Sequence, residues 1–334
     1  MKFFISNLQY CIRKTGKSAW TLFSIMIPIS ILIRLIQQTD ILPYLSSILS
    51  PIMQVVGLPA ETALVWLTAL VVNIYGGLLC LFSIYPSLSE PLTSAQMTTL
   101  LTMILIAHTF PIELGIARKT GVKVFVSFCI RFGFGILAGF LLSKIYNLFH
   151  YLETPIGITH IFTITDTSWK SWILNELKNY GIIICIIFVL VSLIRLLEVS
   201  GLLQWLNKLM SPLLSWLGIS NTMLPLTIIG LSMGIAYGGG LIVEEVKNPT
   251  VKAKDIFYAM TLLGLFHSIF EDTILMLSMG GHWTGIIVFR FIFALVITYS
   301  IMRLSNNMND DLFNKLFMTK QFRQQKQTYK NLIK

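Results

Sequence analysis

Apolar residues fall in long blocks along this chain, with polar residues gathered between them. Eight blocks are long enough to read as membrane-crossing helices, at about 19–37, 62–83, 97–117, 122–146, 179–198, 222–245, 256–279 and 283–303. About 20 apolar residues span a bilayer as a helix. Two further stretches, 41–56 (ILPYLSSILSPIMQVV) and 202–217 (LLQWLNKLMSPLLSWL), are amphipathic, with Ser-Pro near the middle. They predict helices that lie at the interface or re-enter the membrane. The expected fold is all-α: a polytopic integral membrane protein of about eight transmembrane helices. Its expected parts are an amphipathic N-terminal segment (1–18), a first membrane repeat (19–146), a linker (147–178), a second membrane repeat (179–303) and a basic cytoplasmic tail (304–334).

Composition agrees with that reading. The chain is 55% hydrophobic and 12% charged, where soluble domains carry about 25% charged residues. The N-terminal basic residues Arg13, Lys14 and Lys17 follow a short apolar start, the reverse of a cleavable signal. Cys11, Cys80, Cys129 and Cys185 have no metal or redox spacing and read as small apolar residues. With both termini placed inside and eight crossings, 17 Lys and Arg fall in inside segments and four (Arg118, Lys119, Lys123, Lys208) in outside loops. That bias follows the positive-inside rule and supports a multi-pass protein with both termini cytoplasmic. The basic loop at 118–123 is the weak point of the assignment. The tail's lysines and arginines fit contact with anionic lipid, not with nucleic acid.

The two halves repeat. At an offset of 161, LIRL at 32–35 meets LIRL at 193–196, Ser50-Pro51 meets Ser211-Pro212, and Gly57 meets Gly218. One residue further on, Tyr75-Gly76-Gly77 meets Tyr237-Gly238-Gly239. At an offset of 159, HTFPIE (108–113) meets HSIFED (267–272), Gly121 meets Gly280, and Arg131 meets Arg290. His, Arg and carboxylates are rare here, so agreement in order and spacing marks a duplication. Duplicated transporters bind their solute near mid-membrane at the repeat interface. Four crossings per repeat would make the halves parallel; a re-entrant hairpin would make them inverted.

Ionised groups inside a bilayer cost about 2.5–3.5 kcal/mol each and face a protein interior or a wet cavity. On a regular helix His267 and Glu271 share one face at i,i+4, with Ser268 and Asp272 beside them. The first half offers His108, Thr109 and Glu113, with Pro111 distorting the turn. Such a set can bind a cation, relay protons or hydrogen-bond a polar solute. The structural alternative is one ion pair per half, Glu113 with Arg131 and Asp272 with Arg290. Gly230, Gly234 and Gly238 form a smooth stripe for close contact. Gly238-Gly239-Gly240 weakens its helix by about 1 kcal/mol per glycine and predicts an unwound stretch beside Tyr237. The first-half copy has Asn73, Tyr75, Gly76 and Gly77. Glu244 and Glu245, without first-half counterparts, read as an interfacial helix end or a gate. GFGILAG (133–139) lies within a span with no βαβ unit around it, so it is a packing face. No P-loop, HExxH or GxSxG motif is present, and an enzyme is not expected.

LLEVSGLL (196–203), IAYGGGLIVEE (235–245) and HSIFEDT (267–273) together resemble the bacterial nucleoside recognition, or Gate, membrane proteins. Similar domains occur in concentrative nucleoside transporters, in the ferrous-iron transporter B and in spore maturation proteins A and B. The resemblance implies a protein of the bacterial inner (plasma) membrane with a transport-like core. The leading expectation is a transporter or channel for a small polar solute, nucleoside-like or an organic ion. The alternatives are a divalent-metal or proton pathway through His108, His267, Glu113, Glu271 and Asp272, and a non-transporting scaffold. No cofactor is expected and no particular metal is specified. The expected partners are membrane lipids and the small-molecule or ion substrate, with a second copy of the chain left open.

Overall fold

A ten-residue helix rises about 15 Å, half of a bilayer's hydrocarbon thickness, and several helices here are of that length. The computed structural model describes residues 7–16, 19–20, 23, 27–28, 31, 35, 50–88, 90–156, 169–246, 248 and 251–324. The first expected span, its Arg34, and residues 41–49, 157–168 and 325–334 lie outside that set or almost wholly so. The first half contains α1 (Thr62–Val71), α2 (Ile74–Ile84), α3 (Ser94–Ile106), α4 (Phe110–Lys119) and α5 (Val124–Leu148). Then follow α6 (Trp169–Val199), α7 (Leu202–Trp216), α8 (Leu224–Met233), α9 (Ile235–Glu245), α10 (Ala253–Leu265) and α11 (Glu271–Ser278). A π-helical stretch (Thr284–Phe289) leads into α12 (Arg290–Asn306), and α13 (Asp310–Phe317) follows. The all-α expectation holds among the described residues, where β contacts are two isolated bridges.

Two expected spans are instead helical hairpins. In the block 62–83 the chain reverses at Val72 (φ −105°, ψ −85°) and Asn73, whose side chain caps α2 by accepting from Gly76 N at 2.8 Å. A Cβ placed on Gly77 would stand 2.7 Å from Ala69 Cβ and 3.2 Å from Val65 O, so α2 runs back along α1. In the block 222–245 the reversal is at Gly234 (φ 100°, ψ 164°), a conformation open in practice only to glycine. A Cβ on Gly238 would overlap Gly230, although in a straight helix residues eight apart are about 12 Å distant. The stripe of three glycines therefore serves close contact across a hairpin, not one face of a single helix. Gly76, Gly77 and Gly238–Gly240 are helical, contrary to the expected unwinding. The chain breaks earlier, where Asn73 and Gly234 supply the turn.

The loops sort into two ends. At one end residues 121–123 pair with the chain after α13: Val122 bridges Met318, Lys123 N donates to Phe317 O at 2.9 Å, and Thr319 N donates to Gly121 O at 2.8 Å. Lys254 Nζ reaches Asn306 O and Met308 O there, at 3.2 and 3.0 Å. At the other end Thr93 bridges Pro155, Ile156 N donates to Leu92 O at 2.9 Å, and His282 N donates to Thr98 Oγ1 at 2.9 Å. So α3–α4 and its copy α10–α11 traverse the molecule in opposite directions, and so do α5 and α12. The repeats are inverted. The parallel arrangement drawn from eight crossings fails because each hairpin returns the chain to the end it left.

Three stretches among the described residues are long and apolar enough to cross a membrane: Ser94–Lys119, Val124–Leu148 and Thr284–Asn306. α5 exposes Phe125, Phe128, Leu137 and Leu141, a surface suited to lipid. α7 exposes Trp205, Leu209 and Trp216 while burying Leu214, as an interfacial helix would. The halves interlock: Leu275 and Met276 of α11 sit in the core built on the first hairpin, and Ala117 of α4 sits in the core built on the second.

Candidate functional site

The two crossing segments α3–α4 and α10–α11 each break in the middle, at the same place in the repeat. Helix α3 ends at Ile106 and α10 at Leu265, and the chain passes a histidine before the next helix starts. The residue after each histidine is left-handed: Thr109 at φ 50° and Ser268 at φ 49°. Non-glycine residues held there cost of order 1–3 kcal/mol and persist where the surroundings over-determine them. Those surroundings repeat too. Thr109 N donates to Ala69 O at 2.9 Å, and Ile269 N donates to Leu231 O at 2.8 Å, tying each break to the first helix of its hairpin.

A helix that stops inside a protein leaves carbonyls without partners. Here buried arginines take them. Arg131 donates from Nε to Ile106 O (3.1 Å) and from Nη2 to His108 O (3.3 Å). Arg290 donates from Nε to Leu265 O (3.2 Å) and from Nη2 to His267 O (3.0 Å) and Leu105 O (3.2 Å). A cation at a helix C-terminus is also favoured by the helix dipole. The guanidinium groups lie 5.2 Å from the Phe110 ring centre and 4.9 Å from that of Phe266.

The histidines meet at the centre. His108 Nδ1 lies 2.8 Å from Ile104 O, and His267 Nδ1 lies 2.7 Å from Leu263 O. A carbonyl only accepts, so each Nδ1 carries hydrogen, and in its neutral form each ring presents a lone pair at Nε2. Those two Nε2 atoms are 3.3 Å apart. Glu113 Oε1 stands 3.3 Å from the first and 3.5 Å from the second, and Asp272 Oδ2 stands 3.9 and 4.0 Å from them. Four electron-rich atoms thus converge from both repeats in a place where His108, His267 and Glu113 are buried. Such atoms repel one another unless a cation joins them.

His108, His267, Glu113 and Asp272 are therefore brought together, but not by helical i,i+4 spacing. Residues 266–270 are not helical, so Glu271 and Asp272 open α11 instead of continuing α10. Glu271 turns to the first repeat's hairpin, where Tyr75 Oη lies 3.5 Å from its Oε1. Pro111 sits in the first turn of α4, where proline favours helix initiation, and the break precedes it. Of the two expected ion pairs, Glu113–Arg131 forms. Asp272–Arg290 does not: Arg290 Nη1 has no hydrogen-bond partner among the described residues. The aspartate is one methylene shorter than the glutamate it matches.

Other expected residues serve the scaffold. Asn73 is spent on its turn, Gly76 supplies the capped N–H, and Gly77 and Gly238 let the hairpins close. Gly239 lies against Ile116 of the opposite repeat. The backbone of Tyr237 is helical, and its side chain lies outside the described set. Glu244 and Glu245 end α9 about 15 Å from the hairpin turn. There Glu245 accepts from Asn248 Nδ2 at 2.8 Å. They do not join the centre. The carbonyls of Ile104 and Leu263 that orient the rings were not expected, although each lies four residues before its histidine.

This architecture defines an integral membrane protein of two inverted repeats with a polar centre between them. The model of the Gate family, described as nucleoside recognition, matches residues 19–123 and 181–283, more than half of the sequence. The chain belongs to that family and carries two copies of its domain. It is also similar to a membrane protein of Bacillus subtilis, YvoD, described as uncharacterized. The two are 24% identical over 290 residues, covering 85% of this chain and 90% of the relative. No solved structure matches.

Proposed function

We propose that this protein is a transporter, not an enzyme, whose cycle binds and releases a small cation between its two repeats. The observation that carries the reading is the pair of Nε2 atoms 3.3 Å apart, each ring fixed by its own Nδ1 hydrogen bond. Inverted repeats joined at discontinuous helices are the plan on which alternating access is built. Beside the centre, a cavity of ≈ 20 Å³, room for about one water, is bordered by Glu113, Arg131, Gly264 and Val122.

The membrane is a bacterial plasma membrane in this reading, with the end that carries the tail in the cytoplasm. Nine basic residues crowd the described part of that end: Arg118, Lys119, Lys123, Lys252, Lys254, Arg303, Lys315, Lys320 and Arg323. The facing loops 85–88, 90–93, 149–156 and 279–283 have no Lys or Arg and contain Glu90 and Glu153, with Lys144 one turn inside α5 at that end. The basic loop at 118–123, awkward with eight crossings, then obeys the positive-inside rule.

The test is flux in proteoliposomes carrying the full chain, with dyes for pH and for divalent metal inside. A cation gradient should drive a signal that Asp272→Asn lowers at least tenfold while the variant remains monodisperse. Equal flux in wild type, Asp272→Asn and empty liposomes refutes the reading. The family description supports a second reading, a nucleoside-like solute coupled to the same cation. Its test is uptake of labelled uridine and adenosine under the same gradients, and absence of gradient-dependent uptake rejects it.

A further inference from the structure

Four-coordinate zinc holds nitrogen ligands at about 2.0–2.1 Å and carboxylate oxygens at about 2.0–2.2 Å, so the edges of its ligand tetrahedron are about 3.3–3.5 Å. The central triangle of His108 Nε2, His267 Nε2 and Glu113 Oε1 has edges of 3.3, 3.3 and 3.5 Å. We infer that these three atoms, with Asp272 Oδ2 as the fourth, form a tetrahedral site for a divalent transition metal shared between the repeats. The inference rests on the cation reading above and names the cation.

The ligand types select the metal class. Two neutral imidazoles with two carboxylates suit zinc, cobalt or ferrous iron, whereas calcium and magnesium take six or more oxygens. Both rings are already oriented as ligating imidazoles usually are, by an Nδ1–H bonded to a carbonyl. Glu113 can offer only one oxygen, because Arg131 holds the other.

Asp272 is the adjustable ligand. Its Oδ2 is 3.9 and 4.0 Å from the two nitrogens, longer than tetrahedral edges, and it stands outside the compact group of the other three, so it must swing inward to complete the set. Repeat symmetry would place its carboxylate on Arg290, as Glu113 is placed on Arg131. Instead the wholly buried Arg290 keeps Nη1 unpartnered among the described residues, which leaves the aspartate available to the metal. The two guanidinium groups offset the two carboxylates and weaken the site's hold on a dication. A transport site must release what it binds.

Cobalt(II) and zinc(II) alone are the probes, added to the full chain in detergent. One equivalent of cobalt per chain should bind with the intense visible absorption of tetrahedral cobalt, and zinc should bleach it. His267→Ala and Asp272→Asn should weaken binding by tenfold or more, and Glu244→Gln should leave it unchanged. The wild-type spectrum is decisive by itself, whether or not His267→Ala folds. No stoichiometric binding, or the weak spectrum of six-coordinate cobalt, overturns the metal assignment. If the wild type then still conducts protons or monovalent cations through the centre, the broader cation reading stands without the metal. If it conducts nothing, both fall. Stoichiometric tetrahedral binding without flux keeps the metal site and removes transport.

Discussion

Replacing Gly238 or Gly240 with alanine tests the hairpin directly, since the two positions lie half a turn apart on α9. Alanine gains about 1 kcal/mol over glycine in a helix interior, and that gain is common to both. At Gly240 the new methyl meets nothing within 4 Å. At Gly238 it would overlap Gly230 and stand 2.6 Å from Gly230 N and 3.0 Å from Leu226 O. These are backbone atoms and cannot rotate away, so α8 and α9 must part. Over-packing of a tight interior costs about 1–3 kcal/mol. The common gain cancels in the comparison, so Gly238→Ala should be less stable than Gly240→Ala by about 1–3 kcal/mol, or roughly 5–150-fold in the unfolding constant. Equilibrium unfolding in mixed detergent micelles, followed by far-ultraviolet circular dichroism, measures the difference. Were residues 238–240 an unwound binding segment, both variants would move stability alike. Equal shifts in the same direction would falsify the hairpin.

Other consequences are as concrete. Glu113→Gln leaves the buried Arg131 without its counter-charge and should cost about 3–5 kcal/mol; Glu113→Gln with Arg131→Met should recover part of it in the same unfolding assay, the remainder reflecting the Ile106 and His108 carbonyls that lose their donor, and no recovery would mean the pair is not coupled. Cysteines introduced at Val122 and Met318 should cross-link under mild oxidation in membranes, because that bridge joins the loop after α4 to the chain after α13; failure to cross-link in a folded variant would reject the assignment of these segments to one end. Asn73→Ala removes the cap on Gly76 N and should cost about 1 kcal/mol, while Asn73→Asp should cost much less; equal losses would show that the cap is not what matters.

Much of the centre was legible because it is written twice. His108 with His267, Glu113 with Asp272 and Arg131 with Arg290 stand at one offset, and residues so costly to bury are kept in register only where they act together. What the sequence concealed was direction. An apolar block of 22 residues reads as a span by length, and only the conformations at Asn73 and Gly234 make it two short helices. Composition cannot show that reversal, because the inner face of a hairpin and the inside of a bundle select the same small apolar residues. The weak point in the charge count was the trace of it: Arg118, Lys119 and Lys123 looked misplaced because two crossings had been counted that do not exist. Helical spacing also misled at HSIFED, since α10 stops at Leu265, and the partner of His267 lies 159 residues away.

The departures from symmetry locate the working parts. Each repeat has a carboxylate and an arginine at matching positions, and the same break beside them. A fully symmetric pair would lock both carboxylates to their arginines and leave two neutral histidines facing each other. Shortening one carboxylate by a methylene prevents that. Glu113 stays anchored to Arg131 and can act as a fixed wall of the centre, while Asp272 stands 3.9 and 4.0 Å from the histidines and is not paired with Arg290, whose Nη1 has no partner among the described residues. A carboxylate with two alternative partners can change hands for a small difference in free energy, and a transport cycle needs one such element. The prediction that separates this from ordinary packing is Asp272→Glu. The longer side chain can reach Arg290 as Glu113 reaches Arg131, so the variant should be more stable than wild type yet bind cobalt more weakly. A variant that is more stable and binds equally well would show that Asp272 has no exchange to make.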